Sequence, residues 1–133
     1  MKHTAILLSG LCLCLPVTGQ ADSVTERLNA YEAEGAGNFS AQDGAQAWTR
    51  QVAVEAGALQ RSCQDCHGER LTGPGKHVKT GRAIDPMAPS VNSRRLADGR
   101  KIEKWFRRNC QWTWGRTCTA QEKGDILRFL QQQ

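Results

Sequence analysis

No stretch of this 133-residue chain stays apolar long enough to cross a bilayer, for the most apolar run, Ile6 to Pro16, is far shorter than a spanning helix requires. Lys2 and His3 precede that run, and Gly19 and Ala21 offer small residues for a signal-peptidase cut before Asp22. Residues 1–21 therefore read as a signal peptide, and 22–133 as a single exported domain expected in the periplasm and not spanning a membrane. A buried N-terminal helix or a membrane anchor would not turn polar so abruptly. Cys12 and Cys14 lie inside the run without a lipid-attachment pattern and leave with it.

An extreme charge is also lacking. Once 1–21 are removed, 17 basic and 13 acidic side chains remain, a balance of +4, and binding to nucleic acid is not expected of such an exported chain. The distribution is less even: residues 22–69 hold eight acids and three bases, whereas 70–116 hold twelve bases and three acids. One end of the molecule should be cationic, either as a solvated surface or as a docking face for an acidic redox partner.

Alternation of apolar and polar residues over a strand's length is absent too, which leaves helices. Ser23 with Glu26 makes a capping-box pair ahead of Val24, Leu28 and Tyr31, predicting a helix over 24–33 that Gly35 and Gly37 end. Ser40 with Asp43 opens a second, with Ala45, Trp48 and Val52 as its apolar stripe. Between Leu71 and Ser93, six Gly and Pro residues and no sustained period predict a long loop that needs something to pack on. Asp98 caps a third helix, with Ile102, Trp105 and Phe106 on one face and with Cys110 opening the loop beyond it. Thr119 with Glu122 starts a last helix that buries Ile126, Leu127 and Leu130. The sum is a small all-α domain whose thin core would gain from wrapping a large apolar cofactor.

The cofactor is indicated by Cys63, Gln64, Asp65, Cys66 and His67, the C-x-x-C-H pattern of covalent haem c attachment. Two thiols three residues apart on one helical turn can each form a thioether with a haem vinyl group, which places the next residue beneath the iron. His67 would be the proximal ligand, its second ring nitrogen held by an acceptor. A thioredoxin-like redox site would want a βαβ context, and a zinc site two further ligands at short spacing, and the chain has neither. Cys110 and Cys118 are then the only thiols left in the mature chain. In an oxidising compartment they should pair, closing a loop worth about 2.5 kcal/mol by chain-entropy reasoning, whereas two free buried thiols are the alternative.

Few residues remain to face His67 across the iron. Met1 and His3 go with the signal, leaving Met87, His77 and Asn109. Met87, in the constrained run Pro86, Met87, Ala88, Pro89, suits a plain electron carrier with His and Met ligands, or else fills a core gap. Asn109 continues the face of Ile102, Trp105 and Phe106 and is either a ligand or a helix terminator. His77, in a basic loop, is expected to face solvent.

The chain resembles the sphaeroides haem protein family of bacterial monohaem c-type cytochromes. The likeness rests on the motif from Cys63 to His67 and on the run Thr80, Gly81, Arg82, Ala83, Ile84, then Pro86, Ala88, Pro89 and Ser90. It continues in Glu103, Lys104 and Trp105, and is strongest in Arg108, Asn109, Cys110, through Gly115, Arg116, Thr117 and Cys118, then Glu122 and Lys123. About the last seventy residues carry it. The resemblance implies a class I-like cytochrome c fold around one covalent haem, with Asn109 an axial ligand in the ferric state and Cys110 bonded to Cys118. It further implies that Asn109 leaves on reduction, opening the iron to oxygen or nitric oxide, and that a dihaem cytochrome c and a membrane b-type cytochrome are redox partners. Ferric iron, harder than ferrous, favours an amide oxygen, so the two chemistries agree. Met87, Trp112 and Trp114 depart from the family pattern. No distal acid or base stands out, so gas binding and enzymic turnover are not separated.

Overall fold

The computed structural model describes residues 19–56 and 58–133. The signal segment read in the sequence lies outside them save for residues 19–21, which begin the first helix, α1 (Gly19–Ala33). Val24, Leu28 and Tyr31 form its buried stripe, and the left-handed Gly35 (φ 90°) follows its end. Since α1 starts ahead of Ser23, the expected capping box does not form. The Ser23 hydroxyl instead donates to the Ala97 carbonyl at 3.1 Å, tying α1 to the segment before the fourth helix.

Helix α2 (Ala41–Thr49) is capped by Ser40, whose side chain accepts from the Asp43 N–H at 3.1 Å. The Ser40 N–H in turn donates to Asp125 at 2.8 Å. Gly44 faces the last helix so closely that a Cβ there would run into the Asp125 carbonyl. Val52 does not extend the stripe of α2, as the sequence suggested, because the helix stops at Thr49 and Val52 pairs antiparallel with Arg61.

One turn, α3 (Gln64–His67), follows. The long segment after it, expected to be free of strands, contains a small antiparallel pair, β1 (Gly75–Lys76) with β2 (Ala83–Ile84), in the register Gly75 to Ile84. Two residues per strand are too few for alternation to register.

Helix α4 (Gly99–Trp114) starts where Asp98 accepts from the Arg100 and Lys101 N–H groups. It does not stop near Asn109: it runs one more turn, to the left-handed Gly115 (φ 68°). Trp105, expected on the buried face with Ile102, is 48% exposed with the Arg108 cation 5.2 Å from its ring. Helix α5 (Ala120–Gln131) carries both bonds of the Thr119 and Glu122 capping box.

Two apolar clusters meet on α5. Leu127 packs with Val24, Leu28, Tyr31 and Ile102 on one side. Ile126 and Leu130 join Trp48, Leu71, Ala88, Cys110 and Trp114 on the other. The second cluster reaches the C-x-x-C-H turn, and the fold is thus an all-α frame holding that turn against its core.

Candidate functional site

The turn bearing the motif is shaped by its own neighbours. The Ser62 N–H donates to Asp65 Oδ2 at 2.7 Å, and the Asp65 N–H returns a bond to Ser62 Oγ at 3.3 Å, a reciprocal cap across Cys63 and Gln64. This Ser-x-x-Asp pair has the ordinary start-of-helix signature and is the sequence signal that could have marked the turn. Gln51 donates to both side chains at 3.3 Å, fastening the turn to the segment after α2. The His67 N–H reaches the Cys63 carbonyl at 3.2 Å, and the left-handed Gly68 (φ 79°) ends the turn.

Cys63 and Cys66 are both free thiols, Cys66 buried and Cys63 packed against the main core cluster. Burial pushes the Cys63 thiol up to about 12, so it is neutral at ordinary pH. His67 lies on Trp48, the ring centroids 5.2 Å apart and tilted by 43°. Burial, reinforced by the Arg95 guanidinium, holds the imidazole down to about 4. Its Nδ1 is buried without a hydrogen-bond partner among the described residues, so the acceptor foreseen for the second nitrogen is not found. Trp48 and Arg95, neither of which the sequence singled out for this place, thus set the surroundings of His67.

The segment after the turn closes over it. Gly75 lies so near the turn that a Cβ would collide with the Cys66 carbonyl and come within 2.8 Å of His67 Cα. The Ala88 N–H donates to the Leu71 carbonyl at 2.9 Å, and Arg95 and Asn92 donate to the Pro86 carbonyl at 2.8 and 3.0 Å. Met87, fixed between these anchors, is half-buried against the cluster that also receives Cys63 and Phe106. Asn109 stands elsewhere in character: its side chain is exposed, three residues after Phe106 on α4 and immediately before Cys110. Cys110 and Cys118 are disulfide-bonded with Cα atoms 5.6 Å apart, joining the last turns of α4 to the residue before the α5 cap.

His77 is not simply solvent-facing. Its ring lies 5.8 Å from that of Trp112, on which the Arg61 guanidinium stacks at 4.4 Å, and its Nδ1 accepts from the Lys79 and Thr80 N–H groups. A nitrogen so engaged makes His77 a poor competitor for iron.

The donor set suits a haem. Two free thiols on one turn provide for two thioethers, and a neutral imidazole beside them offers one ring nitrogen to a metal. Among the described residues no three His, Cys, Asp or Glu side chains converge as a cage for a bare metal ion. A metal held here would have to bring most of its own ligands, as iron in a porphyrin does.

Comparison with known proteins points the same way. Residues 34–130 match a family described as a domain of unknown function, DUF1924. The cytochrome c-type protein SHP of Cereibacter sphaeroides is 45% identical over 69 residues, which are 52% of this chain and 53% of that protein. Cytochrome c'' of Methylophilus methylotrophus is 35% identical over 69 residues, 52% of this chain and 48% of the relative. The chain thus spans about half the length of the curated relatives it matches. Solved structures align further: oxidized SHP, described as an oxygen-binding cytochrome c, has a TM-score of 0.73 and 32% identity, covering 83% of this chain and 96% of that one. Oxidized cytochrome c'' has a TM-score of 0.71 and 29% identity, covering 87% and 95%.

Proposed function

From the premise that this chain belongs to the DUF1924 family and to the SHP and cytochrome c'' group of c-type cytochromes, with one covalent haem c, we propose that it is a periplasmic electron carrier whose iron opens to a diatomic ligand on reduction. The observation that carries this reading is the capped turn from Ser62 to His67, with two free thiols and a neutral, half-buried imidazole fixed against Trp48. A haem bound there would supply a one-electron iron couple.

Cys63 and Cys66 would hold the macrocycle, and His67 would take the iron from one side. Orientation of that ring falls to Trp48, whose indole lies against it, and to the rigid cap of Ser62 with Asp65. Asn109 would be a second ligand to ferric iron and would be given up on reduction. The disulfide next to it limits how far the last turns of α4 can shift, so its release would be a side-chain movement from an anchored backbone. Oxygen or nitric oxide would then have access. The signal-like segment supports export, and among the described residues no helix is long and apolar enough to cross a membrane. A dihaem cytochrome c or a membrane b-type cytochrome would exchange the electron.

A second reading has a specific observation behind it. Met87 is half-buried beside the same cluster as Cys63, whereas the Asn109 side chain is exposed. A His and Met carrier without gas binding would follow. Yet anchors on Pro86 and Ala88 hold Met87 as they would any core methionine. Spectra separate the two. With Asn109 as ligand, ferric protein shows no far-red sulfur-to-iron band, Asn109→Ala changes its spin state, and ferrous protein takes up carbon monoxide promptly. A far-red band that Met87→Leu abolishes establishes the plain carrier.

A further inference from the structure

Away from the motif, α1, α4 and α5 enclose a concavity of about 370 Å³ lined by Arg27, Arg100, Glu103, Lys104, Arg107 and Lys123, with Thr117 also on its wall. Five of these side chains are cations and one is an acid. The acid is already spent: Glu103 pairs with Lys123 at 2.9 Å and accepts from the Tyr31 hydroxyl. Among the described residues Arg27 pairs with the exposed Glu26 alone. Arg100, Lys104 and Arg107 form no ion pair among the described residues; Asp98, which takes two backbone N–H groups on Oδ1, faces Arg100 electrostatically without pairing with it.

Two further facts distinguish this groove from an ordinary solvated face. The Arg27 Nε–H is buried against Gly99 with no hydrogen-bond partner among the described residues, which packs the side chain onto α4 and leaves its outer guanidinium nitrogens as the ones a ligand would meet. Another concavity, about 450 Å³ between α2 and α5, is biased the other way, with Asp43, Glu122 and Asp125 on its wall and Arg50, paired with Glu122 at 2.8 Å, as its one cation. The cationic groove has the opposite excess, and its size lies within the range of roughly 300–1,000 Å³ of small-molecule sites.

Helix geometry also says what does not belong there. At about 100° per residue, Arg100, Lys104 and Arg107 share one stripe of α4, whereas Asn109 falls about half a turn away. A redox protein docked on the stripe would meet the side of α4 opposite Asn109. We propose that the groove binds a small, multiply charged phosphate-bearing molecule, its oxygens held by the Arg27 and Arg107 guanidinium groups and the Lys104 ammonium. Arginine forks fit phosphate oxygens two at a time, and a singly charged carboxylate would leave most of the cluster unneutralised.

The experiment titrates pyrophosphate into the haem-loaded protein by calorimetry at low ionic strength. Saturable binding at one site is expected, weakened about tenfold or more by Lys104→Ala with Arg107→Ala. The control, Lys101→Ala with Lys79→Ala, removes the same charge outside the groove and should keep the affinity. An unchanged Soret band and melting temperature show that each variant folds. Vesicles of cardiolipin, whose headgroup carries two phosphates, identify the source: capture reversed by pyrophosphate assigns the phosphate to a lipid headgroup, and absence of capture assigns it to a soluble molecule. No binding at millimolar pyrophosphate overturns the proposal, as do equal losses in both double variants or tighter binding of polyglutamate than of pyrophosphate.

Discussion

Cys110 and Cys118 are bonded across the junction of α4 and α5, so the turn that follows Asn109 is tied covalently to the residue that precedes the Thr119 cap. A side chain adjacent to such a clamp can move without its helix unwinding, as a labile ligand requires.

Replacing both cysteines by alanine should lower stability by about 2–3 kcal/mol, read as an earlier denaturation midpoint. The same variant should broaden the ferric spectrum if Asn109 depends on the clamp. A spectrum that stays unchanged while stability falls would confine the disulfide to a structural role.

Trp48 is buried between the core and His67. Trp48→Ala should cost about 3–5 kcal/mol as a core cavity, and Trp48→Phe appreciably less. Beyond the stability loss, both should alter the near-infrared or magnetic signature of His67 as the proposed ligand, because the ring loses the surface that orients it. Stability loss with unaltered ligand spectra would show that Trp48 only fills space.

Gly75 tolerates no Cβ against the Cys66 carbonyl. Gly75→Ala should push the β1 and β2 pair away from the motif and destabilise the protein by about 1–3 kcal/mol, with reduced haem incorporation on expression. Wild-type yield of pigmented protein would contradict this close approach.

Glu122 links the cap of α5 to Arg116 and Arg50 at 2.6 and 2.8 Å, and the Arg116 guanidinium bonded to it, helped by Arg50, holds its carboxyl down to about 2, below an unfolded value of 4.5. Its contribution is therefore complete above pH 4.5 and disappears as the pH falls toward 2. Glu122→Gln should lower stability at neutral pH and flatten the acid limb of the stability profile across that window. Parallel acid limbs for the two proteins would refute the assignment.

Much of this architecture was written in short-range signals. Ser40, Asp98 and Thr119 each mark a helix start that the structure contains, because capping depends on residues three apart. The end of α4 lies beyond its sequence signal for a related reason: Asn109 can terminate a helix, but the left-handed position is Gly115, one turn and more beyond. Ser23 had a capping signature that the chain does not use, since its hydroxyl finds Ala97 across the fold. What periodicity cannot carry is contact between distant segments. Trp48 against His67, Trp112 between Arg61 and His77, and the cationic groove shared by three helices all arise only when those helices pack.

The central claim is that the haem is joined to Cys63 and Cys66. Trypsin should release the peptide from Ser62 to Arg70, and its mass tests the claim directly. Attachment predicts that this peptide carries one haem, absorbs in the Soret region and resists alkylation at both thiols. A colourless peptide of bare mass with two alkylated cysteines, from protein made in a host able to attach haem, would contradict it.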